Sequence, residues 1–495
     1  MSKIIIQNGN MCELDLPLKF AQKLYNEFAI RHPNAFYLRT RQRGMQNWDG
    51  KIHYITKTGQ FKIGLIPKVY DMCIEMGIKP KVVDMRQPLP KVSKVVTKIG
   101  KYKLRPEQEK AVKAVINNTI GGKPFHIGVL DYTVNAGKTL IMSSLYLTYK
   151  KQLKTLLITN DSDWLNQARE EFKQYLPGED ITFVQGKVLN WSNFTIGMVQ
   201  SISRNMRFYQ KELSQIDMVL VDEADQGGSK QYQNVITRLF NTRIRIGLSG
   251  TIYMSKLAKD KVKNMNLECF FGKVIAEFKL KDSIKKGYST KTIVKMVPGK
   301  PWYGNWESDC ISYKEIYDDS ITENNTAWTM AYNRLRWNIN QGRYPALVVC
   351  KHIAHCENLY KFFKKKLGDA YNIAYVHVNT PSKLRQQIMR DFREGKIDIL
   401  VSTTIIARGK NFPKLRYLLN AASMDSQEKS IQFLGRLVRT DKSKKKVYLD
   451  DLHYPGPYLD RHGKHRKQYY QRQELKVILL DKLWKKHPNH SLIKS

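Results

Sequence analysis

The sequence predicts an α/β protein, with two tandem parallel-sheet domains preceded by a small α+β domain. Three observations lead there. The chain has 495 residues, and about 150 residues per domain makes roughly three domains. From Leu104 onward, short apolar runs alternate with helix-length segments, the pattern of a parallel sheet with crossover helices. Before that, Gln87-Pro88-Leu89-Pro90-Lys91 reads as a linker, because two prolines forbid regular structure there. The expected domains are 1–95, 96–280 and 281–495.

The elements follow in order. In the front domain, Ile4–Ile6 reads as a strand and Leu18–Ile30 as a helix, with Phe20, Leu24, Phe28 and Ala29 at helical spacing. Phe36–Leu38, Ile52–Ile55 and Phe61–Leu65 read as short strands, Val69–Ile78 as a second helix and Val82–Val83 as a last strand. The second domain offers strands at Ile127–Leu130, Thr155–Thr159, Thr195–Met198, Met218–Val221 and Arg245–Leu248. The third offers Ala346–Cys350, Tyr375–His377, Ile399–Ser402, Tyr417–Asn420 and Val447–Leu449, with the region around 280–330 as the joint. A basic stretch at Arg461–Arg472 leads into a tail expected to turn helical near Glu474–Trp484.

Hydrophobic residues make up 42% of the chain, enough for ordinary globular cores. Runs such as Ala346–Cys350 fall far short of the ~20 residues that cross a bilayer. Gln7 and Asn8 interrupt the N-terminus, so no signal-peptide core forms and a soluble protein is expected. The six cysteines are scattered and form no Cys-x-x-Cys pair, which argues for buried free thiols in a reducing cytoplasm. Lysine and arginine total 84 against 44 acids, a formal +40, so a polyanionic partner is expected. Nucleic acid is the first choice and an anionic membrane surface the second.

Four motifs carry chemistry. Asn135-Ala136-Gly137-Lys138-Thr139 lies between the Ile127–Leu130 strand and an apolar helix. A turn running into a helix N-terminus presents backbone N–H groups to phosphates. Lys138 would meet the β- and γ-phosphates of ATP, and Thr139 would hold Mg²⁺. Tyr132 stands where the full phosphate-loop pattern has its first glycine, and Asn135 replaces another. Met218–Val221 runs into Asp222-Glu223-Ala224-Asp225. A strand end delivering Asp222 to the metal and Glu223 to the attacking water is what γ-phosphate hydrolysis requires. Leu248-Ser249-Gly250-Thr251 places hydroxyls where they can bond the Asp222–Asp225 loop; an ordinary turn is the alternative. Gln432-Phe433-Leu434-Gly435-Arg436-Leu437-Val438-Arg439 puts Arg436 and Arg439 three apart on an expected helix, hence on one face. Two such arginines suit an arginine finger on a γ-phosphate, with Gln432 beside the nucleotide.

These motifs, together with Leu104-Arg105-Pro106-Glu107-Gln108, are colinear from Leu104 to Arg439 and as a set resemble the superfamily 2 helicases. The resemblance is strongest to the phage UvsW-type branch-migration helicases. It is carried by Asn47-Trp48-Asp49-Gly50-Lys51-Ile52, Gly64-Leu65-Ile66, Phe271-Gly272 with Gly287-Tyr288, and Cys350-Lys351-His352-Ile353-Ala354-His355. The Leu-Ser-Gly-Thr and Gln-Phe-Leu-Gly-Arg motifs look like the DNA-directed branches rather than the DEAD-box RNA helicases. The resemblance implies two RecA-like lobes of the P-loop NTPase kind. It implies that Gln108 reads the adenine edge, with Arg105 beside it. Asn160, Gln167, Gln200 and Ser201 would line the nucleic-acid track of the first lobe, and Lys351, His352, Thr403 and Thr404 that of the second. Gly409 and Asn411 would couple nucleotide to nucleic acid. The implied setting is the cytoplasm, that of a bacterial host if the chain is phage-encoded.

The front domain adds Arg39, Arg41, Arg43, Lys51, Lys57, Lys62 and Lys68 between Phe36 and Lys68, against the single acid Asp49. Interleaved aromatics, Phe36, Tyr37, Trp48, Tyr54 and Phe61, are candidates for stacking on bases; for Trp48 and Phe61 a place in the core is the competing reading. This domain reads as a handle for duplex near a fork. The cluster Arg461, Lys464, Arg466, Lys467 and Arg472 reads equally as phosphate contacts or as a solvated helix face. The leading expectation is an ATP-dependent helicase on single-stranded, forked or branched DNA, in replication, recombination or repair, alongside other proteins of those processes. The alternatives are an RNA helicase, including action on an RNA–DNA hybrid, a double-strand translocase, and an ATP-gated clamp or annealing protein that does not hydrolyse.

Overall fold

In a computed structural model of the chain, residues 2–42, 44–92, 94–149, 152–252, 261–299, 312–407, 412–441 and 444–480 are described. Arg43, Cys310, Gly409 and Asn411 lie outside them. The chain divides into two compact units, Met1–Phe278 and Lys279–Ser495.

The first unit opens with a four-stranded sheet in the order Gln60–Lys62, Met11–Asp15, Lys3–Ile6, Lys81–Asp84. Helices Leu18–Glu27 and Ile66–Glu75 accompany it. Its core runs without a break into the larger sheet, from Ile4 and Leu24 through Ile127 and Val219 to Phe271. Gly64 shows how close the approach is, because a Cβ there would stand 2.1 Å from the Glu268 carbonyl oxygen. Arg245, fully buried on a central strand, donates from Nη2 to the Gly9 carbonyl at 2.6 Å and to Asn10 Oδ1 at 2.8 Å.

The larger sheet has seven parallel strands in the order Ile181–Val184, Phe194–Met198, Thr155–Thr159, Met218–Asp222, Ile244–Ser249, Ile127–Tyr132, Val274–Phe278. The second unit holds another seven parallel strands: Ile373–Val376, Ile399–Thr403, Ala346–Cys350, Tyr417–Asn420, Lys446–His453, Lys291–Pro298, Val477–Leu479. Numbered along the chain within each sheet, both run 3-4-2-5-6-1-7. The shared order is the RecA-like parallel sheet used twice, as the sequence predicts.

Three expectations need correction. Phe36–Leu38 is not a strand but part of the helix Ala35–Arg41. Its aromatic composition is overridden by local bonds, with the Leu38 N–H donating to the Asn34 carbonyl at 3.0 Å and the Gln42 N–H to the Leu38 carbonyl at 3.1 Å. The stretch expected to join the domains contains a sheet strand, Lys291–Pro298, hydrogen-bonded to neighbours on both sides. At the tail, the basic stretch is itself the helix Leu459–Arg472, and the strand Val477–Leu479 follows where a helix was expected. Arg466 of that helix is fully buried in an ion pair with Asp451 and presents nothing to phosphates. Of the competing readings in the front domain, Phe61 is core, while Trp48 is half-buried. The five described cysteines are buried free thiols. Among the described residues, no helix is long and apolar enough to cross a membrane.

Candidate active site

The strand Ile127–Tyr132 is buried along its whole length and ends in a loop that enters the helix Lys138–Thr148. Two loop residues take left-handed backbone, Asn135 at φ 64° and Gly137 at φ 71°. This accounts for the departure at Asn135, since asparagine is among the few non-glycine residues that enter that region readily. Gly137 is required for a second reason: a Cβ on it would stand 2.3 Å from Gln108 Nε2. Tyr132 is harmless to the loop, because its buried hydroxyl donates to the Glu107 carbonyl at 2.8 Å.

Gln108 is placed at this loop, but its amide is engaged within the protein. Its Nε2 donates to the Ala136 carbonyl at 2.9 Å, and its Oε1 accepts from the Arg105 N–H at 2.8 Å. Arg105 Nη2 donates to the Asn135 carbonyl at 3.0 Å. Both side chains therefore tie down loop carbonyls. Gln108 is fully buried in this conformation. Lys138 and Thr139 open the helix, half-buried, with Lys138 Nζ 3.4 Å from the Tyr132 carbonyl oxygen.

Asp222 closes the strand Met218–Asp222, all five residues of which are buried. The strand Ile244–Ser249 lies between it and the loop strand, pairing Asp222 with Leu248 on one side and Asp131 with Ser249 on the other. Burial pushes the Asp222 carboxyl up to about 6, and the Lys138 charge pulls it partly back. Its Oδ1 is buried without a hydrogen-bond partner among the described residues. Glu223 follows in left-handed backbone at φ 53°. Asp225 accepts from Ser249 Oγ at 2.7 Å, and Ser249 Oγ lies 3.0 Å from Thr251 Oγ1, so the third motif does bond the acidic loop. A buried carboxylate oxygen left over beside a lysine fits a divalent cation with its phosphates.

The candidate track in the first unit is partly assembled. Asn160 and Gln200 follow adjacent strands, and Gln200 Nε2 donates to the Asn160 carbonyl at 3.2 Å. Asn160 Nδ2 in turn donates to Gln226, one residue beyond Asp225. Gln226 escaped the sequence reading because its partner lies far away in the chain. Ser201 Oγ accepts from the Gly186 N–H at 2.9 Å, whereas Gln167 is exposed and bonded to Glu171 on its own helix.

In the second unit, Lys351 Nζ lies 3.9 Å above the Tyr313 ring and 4.9 Å from that of Tyr317. Burial holds both Lys351 and His352 below their usual pKa values. Thr404 Oγ1 accepts from Lys429 Nζ at 3.2 Å, while Thr403 is buried at its strand end and presents little surface. Gln432 and Arg436 lie on the helix Gln427–Leu437, both half-buried. Arg439 lies past the helix end rather than on its face, and its carbonyl accepts from Thr290 Oγ1 at 3.1 Å. In the front domain, Arg39 and Arg41 are exposed.

Residues 101–254 match the family described as type III restriction enzyme, res subunit, and residues 331–441 the helicase conserved C-terminal domain. The ATP-dependent DNA helicase uvsW of Enterobacteria phage T4 is 21% identical over 436 residues, which cover 82% of this chain and 82% of that protein. The protein named Putative ATP-dependent helicase IRC3 of Saccharomyces cerevisiae is 22% identical over 70% of this chain, which spans only 51% of that relative's length. RNA helicases match over shorter stretches, such as CHR1 of Candida albicans, 23% identical over 46% of this chain and 33% of its own. The fold is shared with a solved structure, the ATP-dependent Type ISP restriction-modification enzyme LlaBIII bound to DNA. That likeness has a TM-score of 0.57 at 15% identity and covers 83% of this chain and 34% of that one.

The two family matches, in the order and places the motifs predict, put this chain among the superfamily 2 helicases, the class that hydrolyses ATP. Within that superfamily it resembles the UvsW type.

Proposed function

We propose that the chain is an ATP-dependent DNA helicase or translocase that unwinds or branch-migrates forked and junction DNA. The observation that carries the ATP-driven part is the buried, unpartnered Asp222 Oδ1 at a strand end, within reach of the Lys138 charge. The DNA part is supported by the net charge of +40 and the likeness to the phage helicase over 82% of each chain. Residues 1–95 are taken as the nucleic-acid handle, and 96–280 and 281–495 as the two lobes.

In this reading Lys138 and the N–H groups of Ala136 to Thr139 hold the phosphates, and Gln108 and Arg105 keep the loop open by anchoring its carbonyls. Thr139 and Asp222 would hold Mg²⁺, which supplies charge neutralisation at the phosphates. Glu223 orients and deprotonates the attacking water. Ser249 bonds Asp225, and Asn160 bonds Gln226, so the acidic loop is tied on one side to the third motif and on the other to the proposed track. Arg436 and Arg439 keep their proposed role as cations for the γ-phosphate.

The cost of ionising Asp222 gives a prediction. Its pKa is raised on folding, so in metal-free protein the penalty is absent near pH 4 and develops as pH rises through about 6. Two pKa units amount to about 3 kcal/mol. Asp222→Asn is therefore expected to exceed wild type in stability by up to about that amount at pH 8 in EDTA, with the gap closing towards pH 4. Denaturant midpoints across this range check it; a gap independent of pH contradicts it. The function itself is tested by strand displacement on forked DNA. ATP-dependent separation by wild type, absent in Lys138→Ala, is expected, and separation of RNA duplexes alone would favour an RNA helicase.

A further inference from the structure

We infer that the Ala35–Arg41 helix and the cleft beside it bind an unpaired nucleotide, whose base stacks on Phe36 and whose phosphates meet Arg31, Arg39 and Lys51. The inference rests on the function proposed above only in taking nucleic acid as the substrate. Phe36 is 80% exposed and its neighbour Tyr37 56% exposed. Two such rings side by side on a soluble surface call for a partner, and the surrounding charge says which kind. Arg31, Arg39, Arg41 and Lys51 are all exposed around them. The one acid lining the cleft, Asp49, is already engaged: His53 Nε2 lies 2.6 Å from its Oδ2, and its Oδ1 accepts from the Lys51 N–H at 2.9 Å.

The rings stand on a braced platform. Ala35 packs beneath the helix against Gly50, where a Cβ would come within 3.2 Å of it. Trp48 Nε1 donates to the Lys51 carbonyl at 2.9 Å, and its ring meets His32 edge-on at 5.7 Å. The cleft is about 470 Å³ and is lined by Arg31, Phe36, Arg39, Thr40 and Lys51, room enough for one nucleotide. Arg41 lies over Tyr37 at 5.2 Å, which leaves Phe36 as the ring with an open face. A duplex hides the faces of its bases inside the stack. An aromatic ring therefore gains little from duplex and much from an unpaired base. The domain read from sequence as a duplex handle thus becomes a reader of single strand at a fork.

The test uses the full chain without ATP and measures anisotropy with four labelled probes: a single strand, a fork, a hairpin-capped duplex, and the same single strand bearing abasic sites. Phe36→Ala should weaken binding to the single strand and the fork by about 10–100-fold, the size of one lost stack, and leave the duplex and abasic strand unchanged. Arg39→Ala with Arg41→Ala should weaken all four and flatten the salt dependence. Phe36 is 80% exposed, so Phe36→Ala should keep the wild-type thermal midpoint and circular dichroism, which shows that the fold is intact. Unchanged single-strand affinity in Phe36→Ala, or equal loss on all four probes, overturns this site alone. Failure of the wild-type chain to bind any probe overturns the proposed function with it.

Discussion

Glu223→Gln is expected to bind ATP as wild type does and to turn it over about 10²–10⁴-fold more slowly. The amide keeps the size of the carboxylate and its power to accept a hydrogen bond, but it cannot take a proton from water. The backbone argues that the position is built for a task. Glu223 stands in left-handed conformation at φ 53°, immediately after the central strand Met218–Asp222. Such a conformation costs about 1–3 kcal/mol and persists only where the surroundings enforce it. Here the residues on both sides are held, Asp222 by burial in the strand and Asp225 by the Ser249 hydroxyl. Nucleotide binding by fluorescence and single-turnover hydrolysis separate the two effects. Wild-type turnover in this variant would remove Glu223 from the chemistry.

The second large effect falls on stability. Arg466 and Asp451 are both fully buried and share an ion pair at 2.9 Å. Arg466 also donates to the carbonyls of Met424 at 3.0 Å and Leu452 at 2.9 Å. Asp451 accepts from Tyr470 Oη at 2.7 Å and from Asn420 Nδ2 at 2.9 Å. The pair thus joins the helix Leu459–Arg472 to the ends of two adjacent strands. Arg466→Met leaves Asp451 as an uncompensated charge in the core, at a cost of about 3–5 kcal/mol. That is a large share of the roughly 5–15 kcal/mol that holds a domain folded. Urea denaturation of the full chain measures it. A variant of normal stability but weakened DNA affinity would mean that Arg466 is a phosphate contact after all.

Burial decided which parts of the fold could be read from the sequence. Met218–Asp222 and Ala346–Cys350 are buried at every residue, so they read as unbroken apolar runs. Ile181–Val184 and Val274–Phe278 are edge strands interrupted by Thr182 and Glu277, and they left no such run, while the edge strand Val477–Leu479 left a short apolar run that fits a helix as well. Lys291–Pro298 was hidden by its alternation of buried residues with lysines. In the candidate site, the placement of Lys138, Asp222 and Glu223 beside strand ends was legible because each belongs to a compact local motif attached to a strand. The links between motifs were not. Gln226 to Asn160 and Arg466 to Asp451 join residues distant in the chain or on different elements, and charge alone does not tell a buried pair from a solvated face. The bonds of Gln108 were not legible either, because its partners are loop carbonyls that no side-chain pattern records.

The central claim is that ATP hydrolysis in this chain is coupled to DNA. Steady-state hydrolysis should be measured without nucleic acid and with single-stranded DNA, single-stranded RNA, plain duplex and a four-way junction. The account predicts a rise of about tenfold or more, at least about 1.4 kcal/mol off the barrier, with single-stranded or branched DNA and little change with RNA. Hydrolysis that RNA stimulates better than DNA, or that no nucleic acid stimulates, would contradict it.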